Sequence, residues 1–180
     1  GPPTPGGGAG ARRAGRDAAR AAGGRGGGGR APGCAPARWQ ALVSEALARC
    51  GRHRAEAWIH DDAELAQRHG IGVHLPARRL GLLANRRLPA DLPRAASCHD
   101  VRDLQRAEAL GCRFAVVGAV RETASHPGRA AIGWEGFSEL RAHSALPIYA
   151  IGGLGPGDIG IARRHGAQGI AAIRGLWPAA

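Results

Sequence analysis

Polar side chains that could bind anions or metals follow several short apolar runs of this sequence. His60 and Asp61 come directly after Trp58-Ile59, and Ser97 lies near the end of a run that begins at Ala95. In a parallel α/β barrel the residues after each strand meet at one mouth, so we expect these side chains to converge. The set is rich in hydroxyls and cations, which suits phosphate or diphosphate ligands better than redox or hydride chemistry. Its members are His60, Asp61, Asp62, Arg78, Arg79, Ser97, His99, Asp100, Thr123, Ser125, His126, Gly152, Gly153 and Arg174.

Residues 146–177 contain the clearest candidate for a phosphate site. Ile148 to Ile151 is a continuous apolar run, typical of a strand buried in a parallel sheet, and Gly152-Gly153 ends it. Gly155-Pro156-Gly157-Asp158 then indicates the start of a helix. Two glycines at a strand end let a ligand approach backbone N–H groups, and a helix N-terminus favours an anion. The same glycines could instead form only a tight turn.

The elements that must position these residues alternate between short strands and helices. Helical spacing from Trp39 ends near Cys50, and Asp100 with Asp103 caps a further helix. Pro76 to Arg79 is predicted as a loop. Six alternating strands favour a parallel α/β fold, whereas eight would close a barrel. The predicted strands are Trp58-Ile59, Val73-His74-Leu75, Ala95 to Cys98, Phe114 to Val117, Ile148 to Ile151 and Gly169 to Ile173.

The composition limits the function classes. The 180 residues allow one domain plus a tail, and all 25 basic residues are arginine. Schiff-base aldolases and P-loop nucleotide binding require a lysine amine, so both classes are excluded. No run approaches a membrane span of about 20 apolar residues, and we expect no signal peptide, because the first residues lack an apolar stretch. The cysteines lack C-x-x-C spacing, which favours reduced thiols and a cytoplasmic location.

Residues 1–37 form a low-complexity segment rich in glycine, arginine and proline, which we expect to be disordered or spurious. Such a tail could bind RNA, although we expect no nucleic-acid role. Because the first residue is glycine, we expect a fragment, a processed product or an incorrectly assigned start. The folded domain is predicted to span residues 38–178.

The segments LPIYAIGGL and HGAQGIAAIRG resemble the last two strands of thiamine phosphate synthase and its TenI-type relatives. Further matches occur upstream in the same order, at Gly72 to Leu75, Ala96-Ser97 and Gly118 to Ser125. The SHPG and GWEGF segments are most similar to the version fused to a Nudix hydrolase in some bacteria, although this chain carries no Nudix signature. The resemblance implies a TIM-type (β/α)8 barrel, here incomplete, with about six of eight strand-helix units.

The resemblance also implies ligands and roles. Enzymes of this family join a pyrimidine diphosphate to a thiazole phosphate with the help of magnesium. By position, Asp61 corresponds to one magnesium ligand, whereas Arg79 stands where the second aspartate is expected. Ser97 and His126 fall on catalytic positions, although His126 replaces a lysine. The substrate and phosphate positions fall on His60, Thr123, Ser125, Gly152, Gly153, Ile173 and Arg174.

Several of these residues also have plainer explanations. Asp61 and Asp62 precede a helix, where acidic residues are favoured as caps. Alternation places His74 on the opposite strand face from Val73 and Leu75, as a packed residue. His99 and Asp100 are adjacent and do not face each other, which disfavours an acid-base pair.

Three functions remain open. The first is a thiamine phosphate synthase/TenI-like domain that binds phosphorylated thiamine precursors, forms homo-oligomers through unpaired strand edges and has little catalysis. The second is a non-catalytic phosphate-binding or regulatory domain, formerly attached to a Nudix hydrolase. The third is a phosphate-binding isomerase with Asp61 or His60 as its base.

Overall fold

The computed structural model describes residues 35–83, 88–123, 130–173 and 175. Residues 1–34, which form most of the low-complexity segment, lie outside the described residues, as do Ser125, His126 and Arg174. The helices are α1 Pro36–Arg52, α2 Ala63–Arg68, α3 Ala77–Leu83, α4 Val101–Ala109, α5 Gly133–Ala142 and α6 Ile159–Arg164. The strands are β1 Trp58–His60, β2 Gly72–Leu75, β3 Arg94–Cys98, β4 Ala115–Gly118, β5 Ile148–Ile151 and β6 Gly169–Ala171.

The six strands form one parallel sheet in the order in which they occur along the chain. The sheet curls into half of a barrel, with helices packed on its outer face. This confirms the predicted incomplete TIM-type barrel. Two adjacent parallel strands must be joined by a crossover connection, usually a helix. The alternation of apolar runs and helices in the sequence therefore largely determines this parallel strand order.

The main core lies between the outer face of the sheet and the helices. Val73 and Leu75 of β2 belong to it, together with Ala96, Val117 and Ile148 from the neighbouring strands. The helices contribute fully buried residues such as Leu104 and Phe137. Most strand positions in this core are small or β-branched. Side chains of this size let the helices pack close to the sheet, so few aromatic residues are needed to fill the core.

The concave face of the sheet carries the alternate strand residues. Trp58, Phe114 and Tyr149 form a row of edge-to-face rings, with centroids 5.0 Å apart for the first pair and 5.4 Å for the second. Trp58 lies on the first strand and Phe114 directly precedes the fourth, so this contact requires the sheet to curl. The row fills the half of the concave face nearest the amino ends of the strands.

The structure corrects the prediction at two places that bear on the candidate site. The segment from Pro76 to Arg79 is not a loop, because α3 begins at Ala77 and the Arg79 N–H donates to the Pro76 carbonyl at 2.8 Å. Proline immediately before a helix is well tolerated, since its missing N–H has no partner to lose there. The last strand ends at Ala171 rather than at Ile173.

The predicted caps are confirmed at two helices. Asp100 accepts a hydrogen bond from the Asp103 N–H at 2.8 Å, and Asp62 accepts one from the Leu65 N–H at 2.9 Å. Asp61 does not cap the helix, so the capping explanation holds for only one of the two adjacent acids. Within residues 35–83, 88–123 and 130–173, no helix is both long and apolar enough to span a bilayer.

Candidate functional site

Three side chains line up across the carboxyl ends of β1, β2 and β3, on the concave face. His60 and His74 are register partners whose rings stack with centroids 5.9 Å apart. His74 Nε2 and Ser97 Oγ form a hydrogen bond of 2.8 Å. The packed position predicted for His74 is confirmed, since it is buried on the face opposite Val73 and Leu75. Its contacts with His60 and Ser97 were not predicted, because they join residues on different strands.

Both histidines favour the neutral form. Burial lowers the pKa of His74 to about 4, and the neighbouring His60 adds to this effect. Burial also lowers the pKa of His60; Arg78 acts in the same direction, and Asp61 opposes it. A neutral imidazole has one donor and one acceptor nitrogen, so the His74 and Ser97 pair can orient the serine hydroxyl without carrying charge.

Asp61 lies beside this row and is paired with two arginines. Its side chain is only 3% exposed, and Arg79 Nε donates to its Oδ1 at 2.6 Å while Arg78 Nη2 donates to its Oδ2. The backbone of Asp61 is left-handed, with φ of 58°, and its N–H donates to the His74 carbonyl at 2.9 Å. The backbone therefore holds the carboxylate in place, and both of its oxygens are engaged by cations.

The side chains around Asp61 do not fit the magnesium site that the resemblance implies. A divalent cation prefers carboxylate oxygens that are free to bind it. Here each Asp61 oxygen accepts from a guanidinium group, so a cation would face two positive charges at close range. Among the described residues no group of three or more His, Cys, Asp or Glu side chains is placed to hold a metal.

The glycine pair after β5 forms a tight turn, and its backbone lies close to the loop that follows β4. Gly152 and Gly153 have φ of 114° and 63°, values that residues with side chains rarely adopt. A Cβ on Gly152 would lie 2.6 Å from the Ala119 Cα, whereas one on Gly153 would lie 3.1 Å from the Arg121 Cβ. Gly152 is buried and Gly153 is exposed. Gly152 is thus needed for packing, whereas Gly153 is the member of the pair that solvent reaches.

An arginine that sequence analysis missed joins this end of the site. Arg121, in the loop after β4, pairs with Asp158 at 2.7 Å and lies 3.5 Å from the Gly153 carbonyl oxygen. Asp158 also accepts from the Gly155 N–H at 2.9 Å, and this bond, followed by Arg121, lowers its pKa. In the sequence, only the position of Arg121 after a strand could have indicated that it lies at this end of the site.

The remaining predicted residues are only partly described. Thr123 is half-buried in the loop after β4, and Ile173 is 51% exposed after β6. His99 bonds through Nδ1 to the Gly118 carbonyl at 3.0 Å, and its neighbour Asp100 is occupied as a helix cap. No acid-base pair forms between these two residues, as the sequence indicated.

Comparison with known proteins gives the family. A family model described as thiamine monophosphate synthase, TMP-TENI, matches residues 29–176. The chain belongs to the thiamine monophosphate synthase family. A thiamine-phosphate synthase of Chromobacterium violaceum is 41% identical over 134 residues, which is 72% of this chain and 64% of that protein. A thiamine-phosphate synthase of Thermosynechococcus vestitus is 31% identical over 133 residues, covering 73% of this chain and 38% of that protein.

A solved structure supports the fold. The thiamine phosphate pyrophosphorylase from Pyrococcus furiosus superposes with a TM-score of 0.60 at 20% identity, covering 91% of this chain and 76% of that one. At this identity the likeness concerns the fold alone. The chain spans less than two thirds of the length of the two curated relatives, so family membership by itself does not establish their activity here.

Proposed function

We propose that this member of the thiamine monophosphate synthase family binds phosphorylated thiazole or pyrimidine precursors of thiamine at the mouth of its half-barrel, with little or no synthase turnover. The observation that carries the proposal is the row of His60, His74 and Ser97 beside the arginine-paired Asp61. This arrangement offers neutral hydrogen-bonding groups next to cations. A ligand with a heterocyclic ring and a phosphorylated arm needs both.

The proposed thiazole-phosphate end of the site is the loop after β5. Gly153 is exposed, and as a glycine it places no side chain between its backbone and solvent. Ile173 follows the neighbouring strand β6, and the resemblance adds Arg174, which lies outside the described residues. Backbone N–H groups at a glycine turn of this kind are suited to phosphate oxygens.

Calorimetry with the thiazole phosphate tests the binding half of the proposal. Gly153→Val should reduce the affinity at least about tenfold, a loss of about 1.4 kcal/mol, because a branched side chain would cover the backbone. Gly70→Val is the matched control, since Gly70 has the same φ of 63° and lies at the amino end of β2, away from the mouth. Equal affinity in Gly153→Val and wild type would contradict the proposed site.

The weak turnover is proposed from the missing metal ligand at Asp61. Departure of pyrophosphate is commonly assisted by a metal that acts as a Lewis acid, together with fixed cations aimed at the leaving oxygens. Here Arg78 and Arg79 engage both oxygens of Asp61, so they can hold a diphosphate but leave no carboxylate for a metal, and the resemblance places His126 where a lysine is expected. Loss of one electrostatic contact commonly costs about 100- to 1,000-fold in rate, so several together should bring turnover below detection.

A coupled assay with both substrates and magnesium tests this part. The control is a full-length synthase measured under the same conditions. Turnover within about tenfold of that control would overturn the proposal of weak catalysis, since one lost contact alone is expected to cost more. Binding without turnover would favour the non-catalytic interpretation, whereas turnover with the precursors would favour an enzyme.

Self-association is proposed from the edges of the described sheet. β1 and β6 are its first and last strands, and strand edges offer N–H and C=O groups to a second copy. We expect a homo-oligomer in sedimentation velocity. A single monomeric species over the whole accessible concentration range would contradict this.

A further inference from the structure

The paired arginines beside Asp61 have a geometry that a merely structural ion pair does not require. Arg78 and Arg79 are neighbours in α3, and both reach one buried carboxylate, leaving the cluster with a net charge of +1. One guanidinium would neutralise Asp61. The second therefore brings an excess positive charge to the mouth of the half-barrel.

Both arginines keep donors available to solvent. The Arg78 and Arg79 side chains are 55% and 44% exposed, while the carboxylate that anchors them is 3% exposed. Arg79 engages Asp61 through Nε and Arg78 through one Nη. Each guanidinium has five N–H donors, so most of them remain for a second acceptor. Asp61 thus acts as a fixed anchor that orients two guanidinium groups before a ligand binds.

We infer that Arg78 and Arg79 form a diphosphate-binding site that works without a divalent cation. Guanidinium groups bind phosphate oxygens in bidentate fashion, and two of them supply the positive charge that a metal would otherwise bring. Anchoring by Asp61 reduces the ordering cost of two long side chains. The inference rests on the proposed function only in placing the ligand's diphosphate at the mouth, and it does not require turnover.

The site can be tested with inorganic pyrophosphate on the full chain, by calorimetry in excess EDTA and again with magnesium. A guanidinium site should bind pyrophosphate in EDTA, and magnesium should leave the affinity unchanged or weaken it, because the metal also complexes the free anion. A metal-bridged site would instead bind only when magnesium is present. Binding that appears or strengthens with magnesium would overturn the inference.

Three variants assign the binding to these side chains. Arg78→Gln and Arg79→Gln should each weaken pyrophosphate binding about tenfold, and each leaves Asp61 one cationic partner, which protects the fold. Arg113→Gln is the matched control, because Arg113 is an exposed arginine just before β4, at the amino ends of the strands and away from the mouth. Equal losses in all three variants, or none in the first two, would contradict the site.

A charge reversal gives a second, independent measurement. Arg79→Asp would place two acids side by side, so this variant should gain manganese binding detectable by electron paramagnetic resonance, while the wild type shows none. Manganese binding to the wild-type chain that pyrophosphate does not require would overturn the inference. Failure of these experiments while thiazole phosphate still binds near Gly153 would remove the arginine site and leave the proposed function standing.

Discussion

The two halves of the candidate site are built in different ways. At the carboxyl ends of β1 to β3, side chains carry the chemistry, through the row of His60, His74 and Ser97 and the arginine pair on Asp61. After β5 the backbone carries it, through Gly152 and Gly153 in left-handed conformations. The first half therefore depends on which functional groups are present, and the second on the absence of a Cβ.

This difference predicts how each half of the site responds to substitution. A polar side chain in the first half can be changed to a close isostere with the backbone intact, so its effects should be graded. In the second half even one methyl group meets backbone atoms, so its effects should be abrupt. Four substitutions or titrations, in order of decreasing expected effect, separate the two behaviours.

The largest effect is expected at Gly152. Gly152→Ala would place a Cβ 2.6 Å from the Ala119 Cα and 2.8 Å from the Val120 N, at a φ of 114°. Backbone strain and overpacking together should cost about 3 kcal/mol in the free energy of unfolding. Denaturant unfolding measures this cost. The control Gly155→Ala meets nothing within 4 Å and should change stability by less than about 0.5 kcal/mol; similar costs for both variants would remove the distinction.

A smaller effect is expected at Asp61, where one chemical change can be made at two adjacent acids. Asp61→Asn removes the buried charge that holds two guanidinium groups, and asparagine tolerates the left-handed backbone, so the cost should be about 2 kcal/mol. Asp62→Asn should cost almost nothing, because asparagine caps helices as well as aspartate does. Denaturant unfolding at neutral pH compares the two. Equal costs would mean that Asp61 is no more than a second cap.

Acidification should weaken the first half through His74. Its pKa is about 4 in the folded chain and about 6.5 in the unfolded chain, so the unfolded state takes up the proton first as the pH falls. This contribution to stability is present above pH 6.5 and is lost as the pH approaches 4; between pH 7 and pH 5.5, the range to be measured, the loss should be about 1 kcal/mol. Unfolding free energies measured across this range should fall less steeply in His74→Gln. An identical slope in wild type and variant would contradict the assignment.

The smallest effect is expected from the serine hydroxyls, where two similar serine-histidine pairs allow a comparison. Ser97 bonds to His74 on the concave face, and Ser138 bonds to His165 among the outer helices, both at 2.8 Å. Ser97→Ala should weaken binding of the pyrimidine precursor about threefold to tenfold, as expected for one hydrogen bond, whereas Ser138→Ala should not. Equilibrium dialysis with the pyrimidine diphosphate distinguishes them. A loss of affinity in both variants would point to a general structural effect.

The sequence by itself determined the architecture and several local features. Apolar runs of strand length, separated by helical spacing, predicted six parallel strands, because this pattern allows few other arrangements. Asp62 and Asp100 were identifiable as caps, since a cap depends on the next three residues only. The glycine pair after β5 was likewise visible as a turn.

Only the tertiary structure decided how the polar residues are used. The bond from His74 to Ser97 spans 23 positions in sequence, and Asp61 finds its arginines 17 and 18 positions later. Alternation predicts the strand face on which a side chain lies, but the distance to a residue on another strand depends on register and on the curl of the sheet. Asp61 therefore resembled a cap or a metal ligand in the sequence, and it became the anchor of two arginines only when the fold brought Arg78 and Arg79 of α3 to the end of β1.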